Sequence, residues 1–112
     1  MGTEQAGQRM SISAITSNAL SGMQAYSRSL AATANNVANV STPGYARLET
    51  SLSSNASGGV TASVSRSSDG AGVDLASEML DSINAKIGFK ANALVFETGA
   101  DMWDMLLTIK RD

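Results

Sequence analysis

The sequence predicts a mainly α protein: two long antiparallel helices forming a coiled-coil hairpin, joined by a short β-hairpin or a disordered Ser/Gly-rich middle. Three observations predict it. Apolar or small residues recur at steps of three and four in two separate segments, residues 11–40 and 74–112. The segment between them is rich in serine and glycine and contains the pair Gly58-Gly59. The first helical segment runs into an asparagine-rich end followed by Pro43-Gly44, which forces the chain to turn. With 112 residues the chain is one domain at most.

Residues 1–10 carry Gly2, Gly7 and mixed polar side chains and read as a flexible leader. Met1 to Arg9 lack the apolar core of a cleavable secretory signal. From Ser11 a helix is expected, with Ser11 or Ser13 as its N-cap. Its seam is Ile12, Ile15, Ala19, Gly22 or Met23, Tyr26, Leu30, Thr33, Val37 and Val40. The mean step is close to that of a coiled coil, narrower than the stripe of a globular helix. The opposite face, with Ser17, Gln24, Ser27 and Asn35, is polar yet almost uncharged, as suits a face crowded by neighbouring subunits.

The turn follows. Pro43 fixes its own φ and pushes Thr42 out of the α region. Gly44 suits the turn position that needs positive φ. Asn35, Asn36 and Asn39 can bond backbone groups at a helix end that has lost its partners. Residues 41–73 then hold short alternating runs: Tyr45 to Leu52 can pair with Val60 to Ser65 around Asn55-Ala56-Ser57-Gly58-Gly59, with Val60, Ala62 and Val64 on one face.

Asp74 is a good N-cap for the second helix, and Glu78 adds negative charge near its first turn. Its seam is Leu75, Met79 or Leu80, Ile83, Ile87, Ala91, Leu94, Thr98, Met102, Met105 or Leu106, and Ile109. Gly88 and Gly99 lie three turns apart on a shared face that can admit another backbone closely. The expected contacts of the helix pair and of assembly are Ile15, Tyr26, Leu30, Val37, Leu80, Ile83, Ile87, Leu94, Met102, Leu106 and Ile109. In this reading Leu94→Asp buries an unpaired charge and separates the helices.

Asn35-Asn36-Val37-Ala38-Asn39-Val40-Ser41-Thr42-Pro43-Gly44-Tyr45 resembles the N-terminal signature of the bacterial flagellar rod, hook and hook-associated axial proteins. The C-terminal half resembles the same family through Val73-Asp74-Leu75, Glu78-Met79, Phe89-Lys90-Ala91-Asn92 and Thr98. Ile87, Glu97, Gly88 and Gly99 depart from the family's frequent residues. The resemblance marks Asn35, Asn36, Asn39, Thr42, Pro43, Gly44 and Tyr45 as the signature turn. It implies a structural rod subunit of the basal body, most like a minimal proximal-rod subunit. Such a chain is exported unfolded by the flagellar export apparatus, without a cleaved signal peptide, and polymerises with copies of itself and other axial proteins.

Composition narrows the alternatives. Net charge is −2 and pI about 4.9, so no basic field invites nucleic acid. The chain has no cysteine and no histidine, which removes thiolate chemistry and the commonest general base and metal ligand. Met10 to Ser27 is uncharged but too polar to span a membrane. Glu78 with Asp81, and Asp101 with Asp104, stand at i, i+3 and read as solvated helix surface. No cofactor, small-molecule substrate or enzyme activity is expected. The competing reading is a soluble helical-hairpin adaptor that binds another flagellar protein without polymerising.

Overall fold

The computed structural model describes residues 2–68, 70 and 72–111, with side chains described between residues 12 and 109. Met1, Asp69, Ala71 and Asp112, which belong to the spans expected above, lie outside the described residues. The elements run α1 (Gly2–Ala38), β1 (Leu48–Ser54), β2 (Val60–Arg66) and α2 (Leu75–Arg111). The molecule is a rod of 65 × 23 × 14 Å. The helices lie side by side and antiparallel, and the hairpin rests on α1.

The first helix does not start at Ser11. It reaches back to Gly2, through the span expected as a leader. Glu4-Gln5-Ala6 and Gln8-Arg9-Met10 are good helix formers, enough to carry the backbone past Gly7. At its other end α1 stops at Ala38, and Asn39 and Thr42 continue the chain in tight turns. The second helix opens on Asp74 as expected. Its carboxylate accepts from the Ala76 N–H at 3.2 Å and the Ser77 hydroxyl at 3.0 Å, and its carbonyl from the Glu78 N–H at 2.9 Å.

The middle is an ordered hairpin. Strands β1 and β2 pair antiparallel from Leu48↔Arg66 to Ser54↔Val60 without a bulge. The loop closes through Asn55 and Gly59, with Gly58 and Gly59 at positive φ. Leu48, Thr50 and Leu52 share a face with Val60, Ala62 and Val64, and Ala62 is buried beneath it. A lone hairpin is marginal in water. This one is held by α1: the Ser21 hydroxyl accepts from the Val60 N–H at 3.1 Å, and Arg28 donates to the Ala62 carbonyl at 3.2 Å.

What closes the helix pair is small. Among the described residues, the buried apolar side chains of the helices are Ile12, Ala19, Ala25, Ala32 and Ala85. Three glycines act as holes for side chains of the facing helix. A Cβ at Gly88 would stand 2.5 Å from the Tyr26 ring, one at Gly99 would stand 2.6 Å from Thr16 Cγ2, and one at Gly22 would overlap the Asn92 amide. Moving back along α1 through Tyr26, Gly22 and Thr16 matches moving forward along α2 through Gly88, Asn92 and Gly99, to within one residue. The register therefore holds along the described pair. Among the described residues no helix is long and apolar enough to cross a membrane.

Candidate functional site

Two features stand out: a polar latch where α1, the turn, β1 and α2 meet, and an uncovered apolar stripe along α2.

The latch begins at the end of α1. The Asn39 amide donates to the Asn35 carbonyl and to the Asn35 Oδ1, both at 2.9 Å, and the Thr42 hydroxyl donates to Asn39 Oδ1 at 3.1 Å. The Tyr45 N–H then reaches the Thr42 carbonyl at 3.3 Å around Pro43 and Gly44, with Gly44 at φ 73°. That is the expected turn. Nothing stands within 4 Å of a Cβ at Gly44, so its only constraint is backbone conformation. Gly44→Val is expected to destabilise the fold by about 1–2 kcal/mol, the cost of a left-handed L residue, and Gly44→Asn by clearly less. Chemical denaturation of the two variants checks the order.

The turn delivers Tyr45, Arg47 and Leu48 to Asn36, which is 1% exposed. The Asn36 amide nitrogen donates to the Leu48 carbonyl at 2.9 Å and to Glu78 Oε1 at 3.0 Å. Its oxygen accepts from the Leu48 N–H and from the Tyr45 hydroxyl, both at 2.8 Å. Every hydrogen-bonding site of this amide is in use. Glu78, fully buried on α2, also accepts from Arg47 Nε at 2.7 Å, and its other oxygen has no partner among the described residues. Arg47 reaches Asp81 at 3.2 Å and Glu49 at 3.3 Å with its remaining nitrogens. The hydrogen bond to Glu78 raises the Arg47 pKa above its ordinary value; burial opposes it, and the charges of Glu78, Asp81 and Glu49 reinforce it. The guanidinium of Arg66 lies 5.6 Å from the centre of the Tyr45 ring, in cation–π range.

Glu78 is thus not part of a solvated carboxylate pair. Capture by Arg47 and Asn36 offsets the cost of burying its charge. Sequence reasoning also passed over Arg47. A signal was present: Arg47 and Glu49 are the only charged residues between Arg28 and Arg66, and a charge beside a forced turn in such a stretch calls for a partner. Of the signature residues, Asn36 and Tyr45 enter the latch, Asn35, Asn39 and Thr42 cap the helix end, and Pro43 and Gly44 make the bend.

The stripe corrects the expected seam. Leu80, Ile83, Ile87, Leu94 and Ile109 are between 52% and 68% exposed, and Met102 is exposed as well. Ile15, Leu30 and Val37 on α1 are also exposed, though Ile15 lies 3.8 Å from where a Cβ at Gly99 would stand. Only Tyr26 and Leu106 are half-buried. The seam is a real stripe on α2, but it lies roughly a third of a turn away from the face bearing Ala85, Gly88, Asn92 and Gly99. Small residues let the helix axes approach, and that turns the large side chains outward.

The family described as "Flagella basal body rod protein" matches residues 15–45, which hold most of α1 and the whole signature turn. No curated protein matches the chain.

Proposed function

We propose, from the match of residues 15–45 to the flagellar basal body rod family, that the chain is an axial subunit of the rod that polymerises through the outer stripe of α2 and the exposed apolar residues of α1. The family gives a structural role at the basal body. In this reading the chain is exported in an unfolded state and then polymerises. The short span between Ala38 and Leu75, holding one hairpin and no outer domain, favours a minimal proximal-rod subunit.

One observation carries the reading: the large apolar side chains face away from the helix pair. Met79, Leu80, Ile83, Ile87, Leu94, Met102, Met105 and Ile109 are all exposed. Burying what remains of each is worth about 1 kcal/mol, half the value for a fully exposed side chain. The sum, about 8 kcal/mol, falls within the cost of one association, about 4–15 kcal/mol. A single contact between two copies is therefore weak. Contacts with several neighbours at once are not, and a heterologous contact that fails to close builds a helical tube.

Leu94→Asp tests this. Leu94 is 64% exposed, so the substitution buries no charge in the isolated chain, contrary to the expectation from the sequence. The variant is expected to keep the helical circular dichroism of the parent at low concentration and to lose growth into long particles at high concentration, read by light scattering. Growth equal to that of the parent would sink the proposal. A parent that never grows but forms a one-to-one complex with another flagellar protein would establish the adaptor.

A further inference from the structure

The hairpin carries a second contact surface. The Ser67 N–H bonds the Arg47 carbonyl at 2.7 Å, and the Asn55 N–H bonds the Gly59 carbonyl at 3.0 Å. Both fit one register, so Arg47, Glu49, Ser51, Ser53 and Asn55 turn their backbone groups inward to β2. Leu48, Thr50, Leu52 and Ser54 therefore turn theirs outward, as do Val60, Ala62, Val64 and Arg66 on the far edge.

Part of each outer edge is covered from within the chain. At Leu48 the Asn36 amide accepts from the N–H and donates to the C=O, the two bonds a neighbouring strand would make. On β2, Ser21 takes the Val60 N–H and Arg28 the Ala62 C=O. Beyond these points, among the described residues, no group bonds the outward backbone of Thr50, Leu52 and Ser54 on β1, or of Val64 and Arg66 on β2. Neither open stretch holds lysine, proline or a bulge, and the one charged side chain on them, Arg66, donates back to the Ala46 carbonyl at 3.0 Å.

We propose that the open β1 edge, Thr50 to Ser54, receives the open β2 edge, Val64 to Arg66, of a second copy of this chain, joining the hairpins of neighbouring subunits into one antiparallel sheet. This rests on the self-assembly reading above. The occupant follows from the edges. Within one hairpin β2 already pairs with the inner side of β1, so its outer edge can meet a β1 edge only on another molecule. Because β1 and β2 run antiparallel, β2 of a copy laid beside β1 preserves the alternation. Leu52 and Val64 are the exposed apolar residues of the two edges, and their outward phase lets them stand opposite each other as a cross-strand pair. A β1-to-β2 contact is heterologous and propagates, whereas β1-to-β1 pairing would close as a dimer and stop.

Residue-resolved hydrogen exchange on the unaltered chain reads the contact, first as dilute monomer and then as concentrated assembly. Thr50 and Leu52 amides, which would face Arg66 and Val64, should exchange freely in the monomer and slow by about tenfold or more in the assembly. Ser51 and Ser53 should be protected in both. Leu52→Pro removes an outward N–H that the hairpin does not use; it should keep Ser51 and Ser53 protected while weakening assembly at least about tenfold. A well-formed assembly in which the Thr50 and Leu52 amides stay open overturns this inference alone. A chain that stays monomeric at every concentration overturns the self-assembly reading with it. Protection that appears only when a different rod protein is added overturns the assignment to a second copy.

Discussion

Asn36→Ala should detach the hairpin from the helix pair and lower the unfolding free energy by about 3 kcal/mol. The amide serves four partners: both backbone groups of Leu48, the Tyr45 hydroxyl and Glu78 Oε1. Leu48 and Tyr45 are half-buried, and water can replace part of what they lose. Glu78 cannot recover in that way. It is fully buried, and its second oxygen already lacks a partner among the described residues, so Arg47 would be its remaining donor. Asn36→Asp separates shape from hydrogen bonding. Aspartate fills the same volume and can still accept from the Leu48 N–H and the Tyr45 hydroxyl, but it presents an acceptor where Glu78 Oε1 and the Leu48 carbonyl need a donor. If hydrogen bonding decides, Asp is as damaging as Ala or more so. Urea denaturation measures the loss, and exchange at the Leu48 amide reports whether the hairpin lifts before the helices part. A near-neutral Asn36→Asp would remove the latch from the account of this fold.

The latch also shows where sequence reasoning stops. Pro43 and Gly44 announce their bend because each has a backbone constraint that few other residues share. Asp74 announces its cap, and Gly58-Gly59 their hairpin loop, for the same reason. These are local signals, and the structure keeps them. Glu78 is different: its burial depends on Asn36 and Arg47 arriving from distant parts of the chain, and nothing within a helical turn of it says so. The pairing face of α2 was only partly legible, through Gly88 and Gly99, for another reason. Leu80, Ile87 and Leu94 make the stronger pattern, and an apolar stripe is ordinarily read as facing inward. That inference assumes the chain alone makes the core. In a chain whose large apolar side chains lie outside the helix pair, the weaker pattern of Ala85, Gly88 and Gly99 marks the internal contact.

That inversion makes Gly88 the residue on which helix register depends, and Gly88→Val is expected to cost about 2–3 kcal/mol. Valine usually suits a helix interior better than glycine, by a few tenths of a kcal/mol, so an exposed Gly88 would give a small gain. Here a Cβ would sit 2.5 to 2.7 Å from three atoms of the Tyr26 ring, closer than carbon atoms approach. Tyr26 is half-buried, and a side chain added at Gly88 meets the far end of its ring, which must shift to make room. The two residues must therefore be coupled. In a Tyr26→Ala background the ring is gone, the added isopropyl group has room, and Gly88→Val should become neutral or stabilising, a coupling of about 2 kcal/mol or more. Denaturation of the parent, both single variants and the double variant completes the cycle. Additive losses would mean that the ring and the glycine do not meet, and that the helices pack in some other register. With coupling present, the parent's helix axes are held close by an absent side chain, and the stripe carrying Leu80, Ile87 and Leu94 is left facing outward by the same contact.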